Sequence, residues 1–444
     1  MNVLRRSWPW AFLMTAFLAL GAAACGGGEE KETPTPAATT PGAVATATPA
    51  ATVKPGPGVT DTEIKLGHSN DLAGTGGTPY GVITPAVKAY FEKVNKEDGG
   101  VCGRQINLLA EDDQYTPAVA LEKAKKLVEQ DQVFAFVGAL GTGAHLAVVD
   151  YLNDPNGDGD TKDGVPDLFV STGFSGWGDY KKWPWTIGYI PDYVTEAKVL
   201  AKYINENFAG KKIGILYQND AFGKDHLNGL KAGLADASLL VAEQPYEASA
   251  TEVSAQVLNI KDSGADVVYL ASTPGFSAKF IVGAHTQGYN PQIVMSYVNA
   301  HTSVASLIGG GTQPDQLAKG FKELEGTIST NYLIPATDAT NPAIQNHKAI
   351  MEKYNGPPVS TLTVYGQSQA ETVVEALKKA CDKLDRKGLL EAAESIKGFA
   401  PSVALPGITI DLGPQDHYAF QTLQVVQVQA DGTLKNLGAP ISAQ

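Results

Sequence analysis

Val133-Phe134-Ala135-Phe136-Val137 is an unbroken apolar run that opens into Gly138-Ala139-Leu140-Gly141-Thr142-Gly143-Ala144. A short continuous apolar run bounded by glycine reads as a strand buried on both faces, the pattern of a parallel sheet. Small residues directly after such a strand leave backbone amides open at the start of the next helix. That end of a helix favours an anionic group such as a carboxylate. Gly141 and Thr142 are therefore candidate ligand contacts, with a plain tight turn as the competing reading.

Outward from this stretch, strands and helices alternate with short connections. Upstream, 63–68 reads as a strand around Ile64 and Leu66, 84–96 as a helix ended by Gly99-Gly100, and 105–110 as a strand. Thr116-Pro117 supplies an N-cap and a proline at the first helical position for a helix to Glu129. Downstream, 167–170 is a short strand. The order then repeats, with helices expected at 195–208, 223–234, 251–263 and 276–287. Strands are expected at 212–217, 241–246, 266–271, 292–296 and 327–332. Helices at 342–354 and 367–384 and strands at 407–411 and 422–428 complete the reading. Two doubly wound parallel sheets, an α/β fold in two lobes, account for this order.

The N-terminal region has a different character. Arg5 and Arg6 precede an apolar run from Trp8 to Leu20, then Gly21-Ala22-Ala23-Ala24 and Cys25. A basic start, a short apolar stretch and small residues make a secretory signal over 1–24. The Cys after small residues resembles the lipobox of bacterial lipoproteins, with Ala22 where that pattern prefers Leu. The resemblance implies lipidation at Cys25 and a membrane anchor. Residues 25–58, rich in Pro, Thr and Ala, hold few large apolar residues and read as a disordered tether.

The sequence has 444 residues and a net charge of −13. No basic stripe interleaves with aromatics, so no nucleic acid partner is expected. Two further cysteines, Cys102 and Cys381, most simply pair outside the cytoplasm, with two free thiols as the alternative.

Several motifs resemble one family. Asn95-Lys96-Glu97-Asp98-Gly99-Gly100-Val101-Cys102-Gly103-Arg104 is similar to the N..GG..GR signature of leucine/isoleucine/valine-type periplasmic binding proteins. Glu111-Asp112-Asp113 with Pro117-Ala118, Gln218 to Gly223, and Leu405-Pro406-Gly407-Ile408 through His417-Tyr418 resemble further elements in the same order. The resemblance implies a type I periplasmic-binding-protein fold with a hinge and a ligand cleft. It places 59–189 plus 330–403 in lobe 1 and 190–329 plus 404–444 in lobe 2, with both cysteines in lobe 1.

It also implies ligand contacts. Ser171, Thr172, Gly173, Phe174 and Trp177 follow a strand end where relatives hold an amino acid. Tyr80, after the Gly74–Gly77 loop, aligns with an aromatic that closes over ligand. Phe222 stands where Tyr is common, and Thr273 ends a further strand. Core packing is the competing role for each aromatic. Amino-acid binders of the family place a carboxylate after the strand at 292–296, to pair with the ligand ammonium. Tyr297 stands there, with Asn299 nearby. A buried ammonium without an anionic partner is costly.

Asp154-Pro155-Asn156-Gly157-Asp158-Gly159-Asp160-Thr161-Lys162-Asp163 resembles the start of a calcium loop, with Asp154, Asn156, Asp158, Asp160 and Asp163 as ligands. Val165 replaces the bidentate acid, so a solvated acidic turn is the favoured reading. No other cofactor is expected. No metal spacing of histidines, nucleophile elbow or phosphate-loop lysine is present, so no enzyme is expected. The expected function is a lipid-anchored solute-binding protein of an ABC importer, on the outer face of the bacterial cytoplasmic membrane or in the periplasm. It would bind a small amino acid or related organic acid, act as a monomer and meet an ABC permease. A sensor ectodomain signalling to a membrane receptor is the alternative.

Overall fold

Each βα unit buries its strand between layers and leaves the strand's carboxyl end open, so the strand order decides where a ligand can sit. The structure is a computed structural model that describes residues 55–74 and 79–442. The signal at 1–24, Cys25, the tether as far as 54, and 75–77 of the loop before Tyr80 lie outside the described residues.

The first half carries strands β1 (Glu63–Asn70), β2 (Gln105–Asp112), β3 (Ala135–Val137), β4 (Asp167–Val170) and β5 (Thr186–Gly188), with helices α1 (Ile83–Glu97), α2 (Pro117–Lys125), α3 (Thr142–Leu146) and α4 (Val149–Asn153) between them. The five strands are parallel in the order β2-β1-β3-β4-β5. The second half runs α5 (Tyr193–Asn207), β6 (Ile213–Gln218), α6 (Ala221–Gly233), β7 (Leu240–Tyr246), α7 (Ser254–Asp262), β8 (Val267–Ala271), α8 (Pro274–Thr286) and β9 (Gln292–Met295). It continues through α9 (His301–Gly309), α10 (Pro314–Leu324) and β10 (Ile328–Asn331).

The chain then returns to the first half with α11 (Pro342–Lys353), α12 (Thr361–Lys379) and α13 (Arg386–Glu394), whose buried faces join the core around β1 and β3. It ends on the second sheet with β11 (Thr422–Val428), β12 (Leu434–Asn436) and β13 (Ile441–Ser442). The second sheet has eight strands, in the path β12-β11-β10-β9-β8-β6-β7, with β13 on β11. β6 to β10 are parallel, whereas β11 runs antiparallel to β10. Among the described residues no helix is long and apolar enough to cross a membrane.

Several expectations are corrected. The tether does not extend to 58: Gly56 N–H donates to Leu384 O (2.8 Å) and Lys65 N–H to Gly58 O (2.8 Å). Gly58 has φ +75°, and a Cβ there would stand 2.4 Å from Phe134 N, so only glycine permits this docking. α12 begins at Thr361 instead of 367, under a capping box in which Thr363 N–H donates to Ser360 Oγ (3.2 Å). Residues 407–411 make only isolated bridges at Ile410. Thr116 precedes α2 without capping it, since its hydroxyl donates to Gln114 O (3.1 Å).

Cys102 and Cys381 are bonded, their Cα atoms 5.4 Å apart. In the acidic insertion, the Asp154 carboxylate accepts from the backbone of Gly157, Asp158 and Gly159, while Asn156 Nδ2 donates to Asp158 and Asp163. Its polar groups satisfy the turn itself. Among the described residues no three His, Cys, Asp or Glu side chains converge as a metal ion requires.

Candidate functional site

In both sheets the strand order reverses beside a central strand, between β1 and β3 and between β6 and β8. Crevices form at such points. The segments following these four strands line one cavity: Tyr80 after β1, Leu140 to Thr142 after β3, Phe222 after β6, and Thr273 after β8. Ile190 and Tyr193 enter from the first crossover and Ser329 to Leu333 from the second, while Thr361, Leu362 and Tyr365 come from α12. Tyr297, Val298 and His301 complete the wall near β9. The cavity holds about 930 Å³ of atom-free space, solvent at its mouth included. Among the described residues no Asp, Glu, Lys or Arg lines it.

The opening stretch after β3 behaves as its glycines require. Gly141 has φ +98°, and a Cβ there would lie 2.8 Å from the Tyr115 ring. Tyr115 is held in place by Asp113, whose carboxylate accepts the Tyr115 N–H (2.9 Å) and the Ser69 hydroxyl (2.5 Å). Asp113 is therefore a turn residue, and burial pushes its pKa up to about 6. Thr142 and Thr172 share a hydroxyl bond of 2.5 Å, and Tyr193 N–H donates to Gly173 O (2.7 Å).

Ser171 lines the cavity but is fully engaged by the protein. Its hydroxyl donates to Gly138 O (3.0 Å) and accepts from Tyr365 OH and Gln369 Nε2 (both 2.7 Å). A hydroxyl has one donor and two acceptor positions, so none is left over. Ser171 thus shapes the site.

Of the twelve expected contacts, Tyr80, Gly141, Thr142, Ser171, Phe222, Thr273 and Tyr297 line the cavity. Thr172, Gly173, Phe174, Trp177 and Asn299 do not. Trp177 is fully buried among Val149, Val170 and Trp183, with Phe174 edge-on at 5.1 Å. A ring of that size anchors the loop from behind, where the sequence placed a wall. Asn299 turns inward, its Nδ2 donating to Leu270 O (3.3 Å) and Ser296 O (3.2 Å).

Tyr297 presents its ring, because its hydroxyl donates to Pro191 O. Behind it lies a carboxylate that the sequence reading missed. Glu196, in the first turn of α5, is fully buried and accepts from Ser296 Oγ (2.7 Å), Tyr297 N–H (2.7 Å) and the Thr330 hydroxyl. Burial pushes its pKa up to about 7. Also unforeseen were Tyr115, Tyr193, His301, Thr361 and Tyr365 in the wall. Two buried polar atoms of wall residues, Tyr80 OH and His301 Nε2, have no hydrogen-bond partner among the described residues. Buried polar groups of a folded protein are as a rule hydrogen-bonded, so these two are exceptions.

The halves also touch directly around the cavity. Ser175 N–H, after β4, donates to the Asp225 carboxylate on α6 (2.7 Å), and Thr302 Oγ1 on α9 donates to Thr361 Oγ1 on α12 (3.0 Å).

The sequence profile of the family described as periplasmic binding protein matches residues 63–433. The chain belongs to the periplasmic binding protein family. Members bind ligands and work outside the cytoplasm. Leu/Ile/Val-binding protein homolog 7 of Brucella abortus (strain 2308) is 24% identical over 302 residues, 65% of this chain and 70% of that protein. Leu/Ile/Val-binding protein homolog 3 of Brucella melitensis is 24% identical over 337 residues, covering 72% and 80%.

Among solved structures, a branched chain amino acid ABC transporter from Thermus thermophilus with bound valine superposes with a TM-score of 0.73. It is 18% identical and the match covers 86% of this chain and 97% of that one. A fatty acid ABC transporter substrate-binding protein from Thermomonospora curvata gives 0.72 at 24% identity, covering 88% and 95%. At these identities the solved structures establish the two-lobed type I architecture.

Proposed function

We propose that this periplasmic binding protein is the solute-binding component of an ABC importer, tethered to the outer face of the membrane through Cys25. Its solute is a small carboxylic acid with an apolar body, and it delivers that solute to a permease. The observation that carries the ligand class is a wall of aromatic rings and hydroxyls without, among the described residues, a charged side chain.

A carboxylate fits such a wall. The hydroxyl of Thr142, with Thr273 at the N-cap of α8 and Thr361 at the start of α12, surrounds the cavity with donors and positive helix ends. An ammonium does not fit. Glu196 lies behind Tyr297 and Thr330, and its own burial favours the protonated form. Stranding a charge in such a place costs about 3–5 kcal/mol.

The contacts of Ser175 with Asp225 and of Thr302 with Thr361 correspond to a closed arrangement, which bound solute would favour over an open one. Small-angle scattering on protein stripped of solute, with and without a panel of short aliphatic and aromatic acids, tests both parts. A stabilising acid is expected to shrink the radius of gyration. A profile unchanged at saturation would contradict closure, and a panel without any stabilising acid would contradict the ligand class.

A further inference from the structure

We infer that the cavity has an arm inside the second lobe, and that this arm takes the tail of a straight-chain aliphatic acid. This rests on the carboxylic-acid reading above and names the apolar body of that acid.

The lining continues beyond the space between the lobes. Ser329 and Asn331 on β10, Val426 and Val428 on β11, and Leu434 on β12 border the same cavity. Ser329 pairs with Val426, and Val428 with Leu434, in antiparallel register. Directly paired residues share a face of the sheet, as do alternate residues along one strand. These five side chains therefore stand on one face. The opposite face belongs to α5, where the Thr330 hydroxyl donates to Glu196 and Val425 packs with Ala197 and Leu200.

Val298, Ala300 and His301, leading into α9, line the cavity as well. The Phe321 ring of α10 closes the far end. Its centroid is 6.1 Å from that of His301, and a Cβ on Gly432, in the turn between β11 and β12, would lie 2.5 Å from it. The register also gives the depth. Asn331 is level with Gln424, and Val428 is the fourth residue after Gln424 on the same strand. At about 3.3 Å per residue, the arm runs ~13 Å along the sheet from the crossover end of β10.

Little in the arm calls for a polar ligand group. The Asn331 amide turns back on its own loop, donating to Leu333 O (2.6 Å) and accepting from Leu333 N–H (3.3 Å). Ser329 and His301 are the remaining polar side chains, against Val298, Ala300, Val426, Val428 and Leu434. Such a surface favours each CH2 it removes from water. A zigzag carbon chain advances roughly 1.3 Å per atom, so the depth suits a linear tail of on the order of ten carbons. The carboxylate stays among the hydroxyls of the cleft.

Calorimetry on the stripped protein with straight-chain acids from butanoate to decanoate tests the arm. Affinity is expected to rise about fourfold with each added CH2, at least as far as octanoate. A series that levels off before octanoate overturns the arm and leaves the carboxylic-acid reading standing. Ser329→Leu places a bulkier side chain opposite Val426 and should flatten the rise. A rise of the same steepness in that variant puts the tail elsewhere and overturns the assignment. Crystals of the unsubstituted protein with 8-bromooctanoate decide independently of whether the variant folds. The bromine, located by anomalous scattering, is expected beside Val428; a bromine outside the arm contradicts the inference. Binding of no acid in the series also overturns the arm, whereas the reading above falls only if its wider panel fails.

Discussion

Glu196 shows at the scale of one residue what a linear reading cannot supply. In sequence it is an acid in the first turn of a helix, where a carboxylate facing water would complement the dipole. Its partners lie far along the chain, at Ser296, Tyr297 and Thr330. Only the topology of the second sheet brings them together. The reading that no acid follows β9 was right about Tyr297, yet a carboxylate stands directly behind it. His226, with Nε2 3.8 Å from Glu196, is held neutral by burial, its pKa lowered to about 3.

Folding raises the Glu196 pKa from 4.5 to about 7, so between those values the folded state holds a proton that the unfolded chain releases. Its contribution is therefore fully present at low pH and lost as pH rises through that window. At about 1.4 kcal/mol per pKa unit the change amounts to about 3 kcal/mol. Glu196→Gln removes this titration. Relative to the parent, the variant should gain stability as pH rises from 4.5 to 7, by up to that amount, in denaturant melts at several pH values. A parallel pH dependence for the two proteins would contradict a buried, titrating Glu196.

At the scale of elements, alternating patterns and turn residues made most strands and helices legible. β4 and β11 match the sequence reading residue for residue. The misses have local causes. Thr361-Leu362-Thr363-Val364-Tyr365 is rich in β-branched residues, which lowers helix propensity and hid the first turns of α12. The signal that announces them is the Ser360–Thr363 capping box. α9 and α10 lie around Gly309-Gly310-Gly311, whose flexibility masked two amphipathic helices. Trp177 looked like a cleft wall because it follows a strand end, but burying a ring of that size against Trp183 and Val170 won.

The bond from Cys102, in the turn before β2, to Cys381, just past α12, joins residues 279 apart in sequence. It ties the returning segment to the first sheet. Closing so long a loop restricts the unfolded chain by roughly 5–6 kcal/mol on the chain-entropy account. Cys102→Ser with Cys381→Ser should lower the denaturation free energy by about that much, read from urea melts, while calorimetry still detects solute. A melt unchanged by the substitutions would remove this bond from the stability of the lobe.

At the scale of the whole molecule, two sheets of the same winding turn their open strand ends toward one cavity, and that arrangement was legible from alternation and from family motifs. The composition of the cavity wall was not. It draws on crossovers and on α12, whose contributions depend on which side the returning chain takes. Among the described residues that wall carries no Asp, Glu, Lys or Arg, which the proposed acid ligand rests on.

On the proposed function, this cleft admits a carboxylate and refuses an ammonium. Titration calorimetry of the stripped protein with 4-methylpentanoate and with leucine isolates that difference, since the two share a skeleton and differ by the amino group. The deaminated acid should bind at least a hundredfold more tightly, the effect of about 3 kcal/mol for an unpaired buried charge. Tighter binding of leucine would contradict the claim.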